Sequence, residues 1–188
     1  MLDKPHIRYF IIKFAIFLVL AVLVLIFREQ QVEHLQPFIG SLMIFYGVEG
    51  IFYEAFFHKL HFIRVNKTYL GLIELILGIV VIVAPLEFAY VCIIWATWSI
   101  IRESYELKEL ITDIKTWPPR IISGAESIAV IVFSILLIFE PGEHHALIHM
   151  GLLVVELILN PFTVLLDEIL IHFKEKKQAK LEEKEKDQ

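Results

Sequence analysis

Six long apolar runs account for most of the chain, and short polar or proline-bearing segments separate them. The first runs from Tyr9 to Phe27, with Lys13 as its only charge. The second, Pro37–Phe57, opens on a proline suited to the first turn of a helix. Thr68–Ala84 is stopped by Pro85, and Glu87–Ile101 runs on into a charged segment. Arg120–Phe139 follows Trp117-Pro118-Pro119 and closes at Glu140-Pro141-Gly142. The last, His144–Leu166, contains Pro161, where a kink is expected. A membrane span needs about 20 mostly apolar residues. A soluble amphipathic helix would carry a polar stripe, whereas these windows are apolar nearly all round. The pattern predicts an all-α polytopic membrane protein with six transmembrane helices.

The basic residues predict which side each loop occupies. Lys4 and Arg8 precede the first window, and Lys59, Arg64 and Lys67 lie between the second and third. Arg102, Lys108, Lys115 and Arg120 lie between the fourth and fifth, and six lysines follow the last. Only Arg28 falls on the other side, with Lys13 inside the first window. Both termini are therefore expected in the cytoplasm. The three outer turns are acidic and carry His34, His144 and His145. The inner segment 104–115 places Leu107, Leu110, Ile111 and Ile114 at helical spacing. That spacing predicts an amphipathic helix on the inner leaflet, or the fourth helix continuing past the membrane. Residues 1–173 are expected to form the transmembrane domain. Residues 174–188 are read as a charged, solvated extension of the sixth helix.

Composition agrees with the patterning. Hydrophobic residues make up 57% and mean hydropathy is +0.70, above the soluble norm of roughly 45–50% apolar. A net charge of −5 speaks against a nucleic-acid binder with a basic surface. Cys92 is the single cysteine, so no intramolecular disulfide or cysteine metal cage can form. Its apolar surroundings predict a buried structural thiol. Lys4 and Arg8 before an apolar run resemble a signal peptide, but no small-residue cleavage site follows, and the segment is expected to stay as the first helix.

The windows group into three like-oriented helical hairpins at about 9–57, 68–101 and 120–166. Gly71-x-x-Glu74 and Ser123-x-x-Glu126 open the second and third, and Pro85 and Pro141 end the first helix of each. Leu25-Ile26-Phe27 matches Leu137-Ile138-Phe139, and Phe52-Tyr53-Glu54 matches Ser104-Tyr105-Glu106. Repeats of like orientation imply a pseudo-symmetry axis along the membrane normal. The stretch from Tyr69 through Glu74 and Gly78 to Pro85, with Ile122 through Glu126 to Pro141, resembles the HdeD-like acid-resistance membrane proteins. It is equally similar to other short-repeat bacterial membrane proteins of unknown function. Hairpin one departs from the pattern, with Lys13 near where the acid would stand. The resemblance implies six helices, the bacterial cytoplasmic membrane and a stress-related role, and it brings no catalytic residues.

Ionisable groups inside the apolar windows carry the functional reading. Lys13, Glu49, Glu74, Glu126 and Glu156 fall in the inner half of their windows, and Arg102 and Glu103 stand near the inner end of the fourth helix. A charge at mid-bilayer costs about 2.5–3.5 kcal/mol on insertion scales, so each calls for a partner. Five acids against two bases could line a relay or path for protons or a small cation. The same groups could instead be interhelical ion pairs and hydrogen bonds that fix the bundle. Trp98 and Arg102, four apart, have the spacing of a cation–π pair. His145 and His149, also four apart, could approach a zinc ion, but the sequence offers no complete ligand set and the reading is of surface histidines. No nucleotide loop, nucleophile elbow or zinc-protease motif is present. The expectation is a non-enzymatic integral membrane protein with no cofactor or metal. Its expected partners are the lipid bilayer, further copies of itself or another membrane protein. A small cation or proton carrier is the second reading, and a membrane scaffold or assembly subunit the third.

Overall fold

The computed structural model describes residues 5–57, 67–112, 114 and 116–186. All regular structure among them is helical: α1 (Pro5–Glu33), α2 (Leu35–Phe57), α3 (Lys67–Val83), α4 (Phe88–Thr112), α5 (Trp117–Phe139) and α6 (Glu143–Lys186). Each apolar window of the sequence became one helix. The connection read as a turn around Arg28–Gln36 is almost wholly helical, with α1 and α2 separated only at His34. No glycine or proline falls between Phe27 and Gln36, so nothing in the sequence stops helix propagation there. The turns after α3 and α5, by contrast, form at Pro85 and at Pro141-Gly142. Of the two readings for 104–115, α4 continues as one helix to Thr112. The basic connection at 58–66, expected to be an inner loop, lies outside the described residues, as do residues 1–4 and the last two of the tail.

Four helices are long and apolar enough to cross a membrane: α1, α2, α5 and α6, over Tyr9–Glu33, Leu35–Phe52, Trp117–Phe139 and Glu143–Lys174. α3 is apolar but shorter, with 17 residues. Large apolar side chains cover the outside of the bundle, among them Ile12, Val19, Ile26, Ile73, Val83, Ile128 and Phe139. An apolar exterior on this scale would drive a protein in water to aggregate, and it matches a lipid surround. The chain is thus helical and of membrane character.

The helices do not pair most closely within the three consecutive hairpins. α2 packs most extensively on α3, α1 on α6, and α4 on α5, with a further α5–α6 interface. Glycine explains the first of these. A Cβ on Gly47 would stand 2.5 Å from the Gly71 carbonyl oxygen, and one on Gly78 would stand 2.6 Å from that of Gly40. Two glycines on each helix therefore let the α2 and α3 backbones touch, as small residues do between membrane helices. Gln36 donates from Nε2 to the carbonyls of Val81 and Ala84, closing the far end of that pair. α1, α2, α4 and α6 meet around Phe17, Ile39, Met43, Tyr46, Trp95, Met150 and Leu157, all nearly inaccessible. Cys92 is buried here too, as its apolar run implied.

A candidate cation site at the end of the bundle

A cavity of about 200 Å³, partly open, sits at one end of the bundle. All six helices line it. α1 gives Lys13, α2 Tyr46 and Glu49, and α3 Glu74; α4 gives Arg102 and Glu106, α5 Ser123, and α6 Asn160 and Asp167. These residues come from the first halves of α1, α3 and α5, from the middle and later part of α2 and α4, and from the middle of α6. The helices therefore alternate in direction, and the cavity lies toward the end where α1, α3 and α5 begin and α2 and α4 finish.

Within this frame the sequence-selected charges fall into three groups. Lys13 and Glu49 form an ion pair at 2.9 Å, and Tyr9 donates its hydroxyl to the same Glu49 oxygen at 2.8 Å. Lys13 replaces the acid expected at that point of the first hairpin, and its partner comes from α2.

Arg102 organises the second group. Its Nε lies 3.2 Å from Glu156 Oε1, one Nη lies 3.0 Å from Glu106 and the other 3.6 Å from Glu74. Glu74 also accepts from Trp98 Nε1 at 3.0 Å, and Glu156 accepts from the Tyr46 hydroxyl at 3.2 Å. The guanidinium carbon stands 3.3 Å from the centre of the Tyr46 ring and 5.8 Å from that of Trp98. The expected Trp98–Arg102 stack is thus the weaker of two, because Tyr46 comes closer. One cation here serves three carboxylates from three helices. A fixed fork of five donors makes arginine, not lysine, suited to that geometry.

The third group is under-satisfied. Glu103 is 0% exposed, and neither of its oxygens makes a hydrogen bond. Glu126 is buried with both oxygens equally unpartnered. Ser127 is a polar side chain beside Glu103. Buried carboxyl oxygens are ordinarily held by donors, and leaving them bare costs roughly 1–3 kcal/mol, more if charged.

Sequence reasoning missed several contributors. Glu106 lies one turn beyond the fourth apolar window, where an acid reads as surface. Asn160 donates from Nδ2 to Glu106, and Tyr46 reads as one more aromatic of α2. Asp167 accepts from the Thr116 amide at 2.8 Å and from its hydroxyl, tying the start of α5 to α6. Spacing alone could have flagged Glu106, which follows Glu103 by three on one helix face. The histidine reading is corrected at His149, which is buried rather than at the surface. It meets Ser99 Oγ at 3.2 Å and the Trp95 ring edge-on at 4.5 Å. His145 instead faces Glu140, at 3.5 Å, so the two histidines do not share a site.

No protein-family model, curated protein or solved structure matches this chain.

Proposed function

We propose that this protein is a non-enzymatic, six-span membrane protein with both termini cytoplasmic, and that its end cavity takes up a small cation or protons as a carrier. One observation carries this reading. The cavity walls hold Glu49, Glu74, Glu106, Asp167 and Glu168 against Lys13 and Arg102. An acidic concavity with low-dielectric walls concentrates cations and repels anions. In an apolar bundle such a set of ionisable groups marks a path or site by default. The six-span arrangement is supported by the alternating helix directions, since each helix returns the chain to the opposite end. At 1.5 Å per residue, even α3 is about 25 Å long, close to the hydrocarbon thickness. The inner placement of the cavity is supported by the basic residues flanking the ends that line it. A role under acid stress, implied by the HdeD-like resemblance, is the physiological setting we propose for it.

Purified protein in sealed liposomes tests the reading, with an imposed gradient of protons, sodium or potassium and a fluorescent reporter inside. Wild-type protein should dissipate at least one gradient, and Glu74→Gln and Glu106→Gln should slow this at least tenfold. Liposomes that stay tight to all three at pH 5 and pH 7 would exclude a carrier.

A further inference from the structure

Glu103 and Glu106 lie on one face of α4, and Glu156 reaches them from α6. One carboxylate oxygen from each lies within 4.8 Å of the other two. We propose that these three residues form a binding site for a divalent cation of the magnesium, manganese or calcium type, entered from the end cavity. The inference rests on the reading of that cavity as a cation-uptake site, and names the cation.

Three independent features support it beyond the grouping of acids. The first is Glu103: wholly buried, directed at the other two carboxylates, and without a hydrogen bond at either oxygen. Among the described residues it has no basic partner, so the group lacks a compensating cation. The second is charge. Among the described residues Arg102 is the one basic side chain paired with Glu74, Glu106 and Glu156, and Glu103 adds a further acid beside them. A +2 ion would neutralise much of that excess where the surroundings are apolar. The third is access: Glu106 is part of the cavity wall, so the group adjoins the cavity through that residue.

The donor set selects the ion class. Carboxylate and amide oxygens suit hard cations, and thiolate and imidazole ligands, which suit zinc and copper, are absent from the group. Metal–oxygen distances of about 2.0–2.6 Å put ligands on opposite sides of one ion about 4–5 Å apart. The observed spread therefore needs little contraction. Arg102 already holds one oxygen of Glu106 and one of Glu156. The ion would draw on Glu103, on the second oxygen of Glu156 and on the Glu106 oxygen that also accepts from Asn160, beside a guanidinium that weakens its hold. Weak retention suits an ion that must leave again.

Detergent-purified full-length protein is titrated with Mn²⁺, followed by its electron paramagnetic resonance signal and by calorimetry. One saturable Mn²⁺ per chain is expected, displaced by Mg²⁺ or Ca²⁺. Glu103→Gln should weaken it at least tenfold, while Glu140→Gln, at the opposite end, should bind as wild type. If Glu103→Gln does not elute as a folded species, Glu106→Gln is read in its place and the same loss is expected. No saturable binding by the wild type, or binding unchanged in these variants, overturns the site. Proton or monovalent flux without Mn²⁺ binding would remove this site and leave the uptake reading. Mn²⁺ binding without any flux would do the reverse.

Discussion

Arg102 lies over the ring of Tyr46, with its guanidinium carbon 3.3 Å from the ring centre, while both side chains reach the same Glu156 oxygen. The contact joins α2, α4 and α6 through one cation. It combines ring stacking with charge-assisted hydrogen bonding, each stronger away from water.

Removing that cation should be among the most damaging single changes in the protein. Arg102→Met leaves Glu74, Glu106 and Glu156 without their shared partner. Breaking one side of a buried ion pair costs about 3–5 kcal/mol. Arg102→Lys should recover part of the loss, because a point charge cannot serve three carboxylates at once. Unfolding of both variants in mixed micelles gives the comparison, and equal stability of Arg102→Met and wild type would remove the network's structural role.

Glu74 accepts from Trp98 and faces Arg102. Glu74→Gln keeps an oxygen for Trp98, whereas Glu74→Leu leaves the indole N–H bare. The expected order of stability is wild type, then Gln, then Leu. The Leu variant should lose a further 1–3 kcal/mol or so relative to Gln. Thermal denaturation of the three proteins side by side settles the order.

The α2–α3 contact should tolerate no side chain at Gly47. A methyl group there meets the Gly71 carbonyl and the Leu75 backbone nitrogen at 2.5 and 2.8 Å, and neither is a rotamer that can swing away. Gly47→Ala is expected to separate the helices at a cost of about 1–3 kcal/mol. Gly151→Ala, with open space at the Cβ, should be nearly silent. A disulfide engineered between Gln36 and Ala84 would report the separation, forming more slowly in Gly47→Ala than in wild type.

Asp167 anchors the start of α5 from a neighbouring helix through the Thr116 amide and hydroxyl. Thr116 has no side-chain hydrogen bond into its own helix, so its hydroxyl is committed to Asp167. Hydrogen bonds to a charged group contribute about 1.5–3 kcal/mol, and Asp167→Ala should lose on that order. Asp167→Asn keeps an acceptor and should lose less. Amide hydrogen exchange confined to the first turns of α5 would localise the effect.

Topology can be read directly with reporter enzymes that work only outside the cytoplasm. Fusions after Arg28, Pro85 or Gly142 should be active, and fusions after Lys67, Lys115 or Gln188 silent. Activity at Lys115 would overturn the six-span arrangement with cytoplasmic termini.

The chain's own pattern determined the helices. Runs of leucine, isoleucine, valine and phenylalanine fix where backbone hydrogen bonds must be internal, and Pro85 and Pro141 break the pattern where the chain turns. That information is local, so it could be read without partners. The same holds for Lys13, Glu74, Arg102, Glu103, Glu126 and Glu156 as groups needing compensation, because cost of burial depends on residue type and surroundings alone. Which group compensates which was not local. Lys13 meets Glu49 across two helices, Arg102 gathers acids from α3, α4 and α6, and Glu103 and Glu126 are left bare. Helix order around the bundle sets these pairings. Close packing of Gly40 and Gly47 on Gly78 and Gly71 puts α2 against α3, and α6 closes back on α1. Glu106 and Asn160 show the same division, because each by itself reads as an ordinary polar residue. Only the α4–α6 approach turns them into one wall of an acidic cavity, since a shared site depends on distances between segments far apart in sequence.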